Sequence, residues 1–421
     1  MRVCVLGAGI AGLAAACELQ REGHDVTVVD RAGAGTGASG ANGAQLSYAY
    51  VQPLADPSIW SQLPRLLLAG SSPLKLRLQW DLDQWRWGLR FLASCRAGVS
   101  RQTTVQLLQL AARSRLAFER LLTEQELDCD FSAAGKLVLY SDRPSFDNAR
   151  RQLALQRSLG SEQSAVSAAE CVAIEPALHH YQRRIAGAIH TPGECAADCY
   201  KVCQELLRIL ERRGARFAFG AEVSGFVVRQ RRVAAIKTGA GTVEADAFVV
   251  ALGAASARLA RSLGLYLPVY PLKGYSITLP AWRQAPAVPR VSVTDAARKV
   301  VFARIGDRMR IAGMAELVGH DMSIPPERIR TLVAAARDVF PECGDFSRCE
   351  AWAGLRPATP TGLPILGAHP RGPANLLFNT GHGALGFTLA FGSAVHIAGL
   401  LRRTYAGRPS PVAAGPASCS A

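Results

Sequence analysis

The chain has 421 residues, a length that typically forms about two or three domains and buries a large core without disulfide support. Hydrophobic residues make up 49% of it and charged residues 19%, a balance that excludes an intrinsically disordered protein. The formal charge of +15 is spread along the chain rather than concentrated on one element. This spread argues against a nucleic-acid-binding protein and fits contact with an anionic membrane surface or an acidic partner.

The eleven cysteines are odd in number and scattered from Cys4 to Cys419, so we expect reduced thiols. The chain passes from its first two residues directly into an apolar run, and we therefore expect no signal peptide. Residues 384–401 are uncharged and largely apolar, but glycine, threonine, serine and histidine interrupt them. This stretch predicts a buried helix rather than a membrane span.

The first thirty residues have the pattern of a strand, a turn, a helix and a second strand. An apolar strand at 2–6 is followed by GAGIAG at 7–12, a helical segment at 13–22 and a strand at 26–29 that ends in Asp30. The acid lies eighteen residues after the last glycine of the motif. This arrangement predicts a dinucleotide-binding unit, and its position at the start of the chain favours FAD over NAD.

Each residue type in this unit has a physical reason. Gly7 permits a tight turn, Gly9 lets the backbone approach a pyrophosphate at the helix N-terminus, and Gly12 lets helix and strand pack closely. Asp30 can accept hydrogen bonds from a ribose. We predict that the cofactor contacts Gly7, Gly9, Ile10, Ala11, Gly12, Asp30 and Arg31.

Residues 36–50 (TGASGANGAQLSYAY) form a loop of small residues followed by two tyrosines. Glycine and alanine there allow a flat ring system to lie against the backbone; the alternative is a flexible surface loop. The predicted cofactor contacts in this loop are Ser39, Asn42, Gly43, Ala44, Gln45 and Leu46.

Four of the six tryptophans, Trp60, Trp80, Trp85 and Trp87, lie close together among arginines and a lysine. Tryptophan and arginine on amphipathic helices are typical of a membrane interface. The alternative is that these rings are core and lid residues of a helical insertion. A long amphipathic helix is predicted at 101–127.

The middle of the chain predicts a helix at 198–213, strands from about 216 to 238, and a buried strand at 246–253 that ends in a glycine. Gly253 is a predicted cofactor contact, because ligands of open α/β sheets lie at the carboxyl ends of the strands. Val223 is also predicted to contact the cofactor. Cys195, Cys199 and Cys203 are spaced by four residues. A metal or iron–sulfur site is one interpretation of that spacing, but buried small side chains explain it better, since a fourth ligand and a CxxC pair are missing nearby.

Strand-like segments at 268–280 and 300–314 predict a mainly antiparallel sheet in a second domain. The glycine-rich stretch at 379–386 opens the apolar helix described above. A helix N-terminus carries partial positive charge and free N–H donors, which would stabilise an anionic flavin ring at its N1–C2=O edge.

These segments resemble the FAD-dependent D-amino-acid dehydrogenases of the bacterial small-subunit type, within the D-amino-acid oxidase and glycine oxidase superfamily. The matching stretches, in the family's order, are VLGAGIAGLAAACEL with VVDR, ANGAQLSYAYVQPLADP, VYPLKGYSIT, RIAGMAE, WAGLRPATPTGLPILGA and NTGHGALGFTLAFGSA. The first motif is shared by many flavoproteins, whereas ANGAQLSY, PLKGYS and NTGHGALGFT together are specific to this group.

The resemblance implies an α/β fold: a discontinuous Rossmann-type FAD-binding domain and an α+β substrate domain on a mainly antiparallel sheet. The implied bounds are 1–55, 150–262 and 346–405 for the first domain, 56–149 and 263–345 for the second, and 406–421 for a disordered tail. The remaining implied cofactor contacts are Gly354, Arg356, Gly381, His382, Gly383, Ala384, Leu385 and Gly386.

The arginine of the GLRP motif, Arg356, is implied to clamp the substrate carboxylate, and a planar guanidinium suits that role. Some relatives have another arginine in the glycine-rich loop, where this chain has His382. Candidates for a second anchor are therefore Tyr50, Tyr275 and His382. Lys273 of the KGY segment is predicted near the flavin or at the pocket wall, the alternative being a surface lysine in a turn.

The implied reaction is oxidative deamination of a D-amino acid, in which the Cα hydride passes to flavin N5 and water hydrolyses the imino acid to a 2-oxo acid and ammonia. Electrons would pass to a quinone or a partner protein, with peripheral docking on the cytoplasmic side of the bacterial inner membrane or a cytoplasmic location. No metal is expected. Two alternatives stay open: oxidation of a secondary amine of the D-proline, hydroxyproline, glycine or opine type, or a flavin subunit of a multi-subunit complex.

Overall fold

The computed structural model describes residues 1–51, 53–57, 59–60, 74–77, 79–157, 162–282 and 287–405. The predicted tail at 406–421 lies outside the described residues. The strands are β1 Arg2–Leu6, β2 Asp25–Asp30, β3 Gln45–Leu46, β4 Leu74–Leu76, β5 Lys136–Tyr140, β6 Ser164–Val166, β7 Gly187–Thr191, β8 Cys195–Ala196, β9 Arg216–Phe219, β10 Val223–Arg229, β11 Arg232–Thr238, β12 Gly241–Glu244, β13 Ala247–Val250, β14 Tyr270–Pro280, β15 Ser292–Asp295, β16 Val300–Ile305, β17 Arg308–Leu317, β18 Glu350–Ala358, β19 Ile365–Ala368 and β20 Leu376–Thr380.

The helices include the one predicted at 101–127, which begins slightly earlier, and the one predicted at 198–213. They are α1 Ile10–Arg21, α2 Leu82–Ser94, α3 Ala97–Glu124, α4 Arg143–Arg157, α5 Ala168–Ile174, α6 Cys199–Arg212, α7 Ser256–Arg261, α8 Pro326–Val339 and α9 Gly386–Tyr405. Short 3-10 helices lie at Pro176–Arg184, Gly253–Ala255, Phe346–Arg348 and Gly383–Leu385.

The first large sheet has the strand order β19-β20-β13-β1-β2-β9, with every neighbouring pair parallel except β19 and β20. Side chains of β1 alternate between its two faces. Val3 and Val5 pack with α1, α6 and α9, whereas Cys4 and Leu6 pack with the antiparallel β10-β11-β12 sheet and α7. Both faces are therefore covered, as a mainly parallel sheet requires.

The second large sheet has the order β18-β14-β17-β16-β15-β5-β7-β6, and β4 pairs with β17. It is mainly antiparallel, and α8 packs on the core at one of its faces. The predicted fold class is confirmed: a Rossmann-type sheet stands beside a mainly antiparallel one.

Sheet membership departs from the predicted domain bounds at three strands. Strands β6 and β7 lie in the predicted FAD segment 150–262, and β18 lies in 346–405, yet all three pair in the second sheet. A strand pairs with whichever strand lies beside it in the folded chain, whatever its place in the sequence. Here β18 runs antiparallel to β14, with Leu272 opposite Arg356. The GLRP segment therefore belongs to the second sheet, and the division into two domains stays a prediction.

Helix α9 is long and apolar enough to cross a membrane by length and composition. It packs against α1 and α3 in the core of the first sheet. Its residues Leu389, Ala390, Ile397 and Ala398 are fully buried there. This placement agrees with the buried helix predicted from the sequence.

Candidate active site

A cavity of about 2110 Å³ extends from the carboxyl ends of β1, β2 and β13 to the second sheet. Ligand pockets for a single small molecule typically measure about 300–1,000 Å³. The cavity therefore has room for a dinucleotide and a second, smaller molecule.

The turn between β1 and α1 forms one end of this cavity. The first turn of α1, Ile10 to Leu13, contains no acidic residue, and Gly9 caps it with no side-chain hydrogen bond. The N–H of Ile10 donates to Ser39 Oγ at 3.0 Å. The positive end of the helix dipole therefore faces the cavity with no acidic side chain from its own first turn, which suits a pyrophosphate.

The three glycines of this turn differ in what a side chain would meet. A Cβ at Gly7, where φ is +108°, or at Gly12 would collide with protein backbone. A Cβ at Gly9 would meet nothing nearer than Ser39 Oγ at 3.4 Å. Since the protein itself leaves space at Gly9, the glycine there fits close approach of a ligand, and the turn fits FAD.

Asp30 lies beside this turn with both carboxylate oxygens held by backbone. Oδ2 accepts from the N–H of Ala8 and Oδ1 from the N–H of Ala32, each at 2.8 Å. The carboxylate is thereby fixed at the cavity wall, and each of its oxygens retains acceptor capacity for a ribose hydroxyl.

The small-residue loop passes under the second sheet and is fastened to it. Ser276 Oγ donates to the carbonyl of Ala41 at 2.6 Å, and Arg310 donates to the carbonyl of Asn42 at 2.8 Å. Ala44 has a φ of +57°, and its N–H donates to Asn42 Oδ1 at 2.9 Å. The loop is therefore an ordered wall of the cavity, not a flexible surface loop.

Arg356 lies on the cavity face of β18. Its guanidinium lies directly against Gly274, where a Cβ would collide with it, and Nη1 donates to the carbonyl of Met314 at 2.8 Å. Burial lowers the pKa of Arg356 to about 10. In the described part of the chain Arg356 makes no ion pair, so this half-buried cation faces the cavity without a protein carboxylate.

Tyr275 and Lys273 belong to a buried network on β14. The Tyr275 hydroxyl donates to Glu316 Oε2 at 2.7 Å, and burial together with this bond raises the tyrosine pKa. Glu316 also pairs with buried Arg328 at 2.6 Å. Lys273 itself does not line the cavity: its side chain is buried, with Nζ 3.7 Å from Asp321 and 5.2 Å from the centre of the Tyr275 ring. This burial excludes the alternative of a surface lysine, and a place near the flavin stays a prediction.

Tyr50 and His382 both line the cavity, and both are already hydrogen-bonded. The Tyr50 hydroxyl bonds that of Tyr140, and burial raises the pKa of Tyr50. His382 Nε2 lies 3.0 Å from Ser393 Oγ, and burial lowers the imidazole pKa to about 4. The imidazole is therefore neutral at physiological pH.

Lys136 on β5 is a cavity residue that the sequence analysis missed. Its Nζ donates to Ser47 Oγ at 2.8 Å and lies 4.5 Å from the centre of the Tyr50 ring. Burial lowers its pKa to about 8, against the opposing attraction of Glu194. Glu194 accepts the N–H of Ala49 at 2.6 Å, and burial raises its pKa. A lone lysine in the apolar strand KLVLY was the available signal.

We expect Lys136→Met to change how stability depends on pH. The lowered pKa means that the unfolded chain binds more protons than the folded protein between about pH 8 and about pH 10.5. Below that window the folded protein bears the full cost of a desolvated ammonium, and the cost disappears as pH rises through it. The free energy of unfolding of the unsubstituted protein should therefore rise with pH relative to that of the variant.

Urea unfolding across this pH window measures the difference, with Lys237→Met at an exposed lysine as the control. A difference between the Lys136 variant and the unsubstituted protein that stays constant across the window would contradict the prediction.

Most predicted site residues line the one cavity. They are Gly7, Gly9, Ile10, Ala11, Asp30, Arg31, Ser39, Asn42, Gly43, Ala44, Gln45, Tyr50, Val223, Gly253, Tyr275, Gly354, Arg356, His382, Gly383, Ala384, Leu385 and Gly386. Gly12, Leu46 and Gly381 lie outside the lining: Leu46 is in the core, Gly12 packs on the Gly7 carbonyl, and Gly381 adjoins Thr359.

The three cysteines spaced by four residues are buried near α6. Cys199, Cys203 and Cys195 belong to the core of the first sheet, and burial raises the pKa of Cys195 to about 11. Within the described ranges no group of three or more His, Cys, Asp or Glu side chains is arranged to hold a metal ion. The arrangement supports the interpretation as buried small side chains.

Comparison with known proteins gives consistent matches over the whole length. A sequence model of the family described as FAD dependent oxidoreductase matches residues 2–400. The chain is 46% identical over 426 residues to D-amino acid dehydrogenase 2 of Ralstonia nicotianae, covering 99% of both chains. It is 47% identical over 395 residues to D-amino acid dehydrogenase 2 of Pseudomonas aeruginosa, covering 93% of this chain and 92% of that protein.

Solved structures share the fold. The glycine oxidase of Geobacillus kaustophilus superposes with a TM-score of 0.75 at 24% identity, covering 96% of this chain and 95% of the other. The L-proline dehydrogenase of P. horikoshii superposes with a TM-score of 0.73 at 17% identity, covering 96% and 93%. At these identities the likeness concerns the fold alone.

Proposed function

This chain belongs to the FAD dependent oxidoreductase family, and on that premise we propose that it oxidatively deaminates D-amino acids to 2-oxo acids and ammonia. One observation carries the proposal: Arg356, without a carboxylate partner among the described residues, faces the same cavity as the dinucleotide turn. The names of the two D-amino acid dehydrogenases, which match almost the full chain, support it.

In this proposal the cavity holds FAD at the β1–α1 turn, with Asp30 beside the ribose. FAD, when bound, supplies the acceptor for two electrons. Arg356 binds the α-carboxylate of the substrate, and two parallel N–H donors of a guanidinium suit that group. The Met314 carbonyl and the bare backbone of Gly274 fix the guanidinium plane and so orient the substrate.

The overall change balances without a metal or a second substrate apart from water and the final electron acceptor. The amino acid loses a hydride from Cα and a proton from nitrogen to become an imino acid. Water then adds to the imine carbon and ammonia leaves, which produces the 2-oxo acid. Orientation of Cα is the main task of the protein.

The test is anaerobic bleaching of the flavin absorbance in the holoenzyme. D-alanine, L-alanine, D-proline and glycine are added separately, and air is then admitted. We expect bleaching by D-alanine and not by L-alanine, with slow return in air. Faster bleaching by D-proline would favour the secondary-amine alternative, and faster bleaching by glycine would favour glycine, a primary amine, as the substrate. Bleaching by dithionite alone would overturn the substrate class.

We further propose that the reduced enzyme meets a membrane quinone or a partner protein through α2. Trp80, Leu82, Trp85 and Leu89 are exposed, whereas Trp87 is buried and donates to the carbonyl of Ala358 at 2.8 Å. Exposed Arg86 and Arg90 accompany them, with Arg90 4.7 Å from the Tyr266 ring centre. An apolar face flanked by arginine suits the interface of an anionic membrane.

Removing the apolar side chains should weaken vesicle binding. We expect the double variant Trp85→Ser, Leu89→Ser to bind phosphatidylglycerol vesicles at least about tenfold less well, because burial of one large apolar side chain contributes roughly 1.5–3 kcal/mol. Co-sedimentation at low and high salt measures it. Trp282→Ser is the control, since Trp282 is equally exposed outside α2. Equal binding by both variants would remove α2 from the interface.

A further inference from the structure

Arg356 supplies one cation for the substrate carboxylate. The three side chains predicted as candidates for a second anchor are hydrogen-bonded to other residues of the protein. The Tyr275 hydroxyl is bound to Glu316, that of Tyr50 to Tyr140, and His382 is bound to Ser393. We propose that Lys299, at the tip of the β15–β16 hairpin, is the second anchor of the α-carboxylate.

The hairpin brings Lys299 next to the peptide that holds Arg356. Val300 pairs with Gly313, and the carbonyl of Lys299 lies 3.0 Å from where a Cβ of Gly313 would be. The next residue of β17 is Met314, whose carbonyl accepts the Arg356 hydrogen bond. Neighbouring strands lie about 4.7–4.9 Å apart, so one inter-strand step separates the Lys299 backbone from the arginine's acceptor.

The backbone conformation around Lys299 and Met314 is unusual for non-glycine residues. Lys299 has a φ of +54° and Met314 a φ of +60°, both in the left-handed region that non-glycine residues rarely adopt. The pairing between β14 and β17 shifts register here, between Lys273 and Tyr275, which marks a bulge opposite Gly274. Bulges and left-handed residues cluster where a strand redirects a side chain or carbonyl toward a ligand.

The hairpin tip is held rigidly, so Lys299 does not depend on a ligand for its position. Asp295 Oδ1 accepts the N–H groups of Ala297 and Arg298, each at 3.0 Å. The Arg298 guanidinium in turn pairs with Asp295 at 3.0 Å and with Asp338. Asp295 thereby stabilises the turn, and the side chain of Arg298 pairs with Asp295 and Asp338.

Of the two lysines that line the cavity, Lys299 is the one that no acid opposes among the described residues. Lys299 lines the cavity and is solvent-exposed, and it makes no ion pair within the part of the chain that the structure describes. Arg298 is paired as above, and Lys136, the other lysine in the lining, is opposed by Glu194 and bonded to Ser47. A flexible ammonium without an acid can follow a carboxylate that Arg356 has already oriented.

This inference rests on the proposed function, because the group to be bound is the carboxylate of an amino acid. Lys299 takes no part in proton or hydride transfer. It acts by holding the carboxylate jointly with Arg356, so its loss should appear in binding more than in turnover.

The test uses Lys299→Asn, because asparagine tolerates a positive φ while removing the cation. Binding to the holoenzyme is measured by calorimetry with 2-aminoisobutyrate, an amino acid that has no hydrogen on Cα and is therefore not oxidised. We expect its Kd, and the KM for D-alanine, to rise about tenfold or more, as for loss of a hydrogen bond between charged groups. Lys299→Arg should restore most of both.

The matched control is Arg231→Asn, which removes an exposed cation at a positive φ from the β10–β11 turn, outside the cavity lining. It should change neither value. Unchanged Kd and KM in Lys299→Asn, or equal changes in the control, would overturn the inference while D-alanine still bleaches the unsubstituted enzyme. Failure of D-alanine to bleach that enzyme would overturn the proposed function instead.

Discussion

Arg356→Ala is expected to raise the KM for D-alanine by about tenfold to a hundredfold, since a hydrogen bond between charged groups contributes roughly 1.5–3 kcal/mol. The reason is that the variant removes the cation that lies against Gly274 at the wall of the cavity. Turnover at saturating substrate should fall less, because the β1–α1 turn and Asp30 are unchanged. Steady-state kinetics with an artificial dye as acceptor measures both.

The control for this variant is Arg304→Ala on β16, whose guanidinium donates to the carbonyl of Gly306 at 3.0 Å and does not line the cavity. It should leave KM within about twofold of the unsubstituted enzyme. Arg356→Lys should fall between the alanine variant and the unsubstituted enzyme, because an ammonium keeps the charge but loses the paired donors. A KM unaffected by Arg356→Ala would exclude Arg356 from substrate binding.

The sequence was sufficient for the β1–α1–β2 unit of the first sheet because local rules govern it. The glycines of the turn and the acid at the end of β2 have fixed spacings, so Gly7, Gly9 and Asp30 were found by pattern and lie together at the cavity. The family motifs likewise located Arg356 and the small-residue loop at 36–50. Only the structure shows that Arg356 and this loop line one cavity, because β18 pairs with β14 of the second sheet although the two strands are far apart in the sequence.

The residues that pattern reasoning missed are those whose role depends on contacts across strands. Met314 matters through a carbonyl that a bulge turns toward Arg356, and nothing in the segment RIAGMAE marks that peptide. Lys136 meets Ser47 from a strand 89 positions further along the chain. Conversely, Lys273 stood out by its place in the KGY segment, but its side chain is buried beside Asp321 and does not line the cavity. Side-chain direction on a paired strand is fixed by register, which composition does not contain.

Substitutions in the glycine turn between β1 and α1 are expected to separate the effect on FAD affinity from the effect on folding. Gly9→Ala should leave the cofactor-free protein folded, because φ at Gly9 is −77° and a Cβ there meets only Ser39 Oγ at 3.4 Å. It should nevertheless weaken FAD binding about tenfold to a hundredfold, because the added methyl group holds the pyrophosphate away from the helix N-terminus and its charge-assisted hydrogen bonds.

Gly12→Ala is the matched variant with the opposite profile. Its Cβ would overlap the Gly7 carbonyl. We therefore expect the free energy of unfolding of the cofactor-free protein to fall by about 1–3 kcal/mol, as for other overpacking substitutions. Fluorescence titration with FAD and thermal unfolding of both apoproteins measure the two effects. If Gly9→Ala lowered the apoprotein's stability as much as Gly12→Ala while FAD affinity stayed unchanged, the space at Gly9 would serve packing, and the assignment of this turn to the cofactor would be wrong.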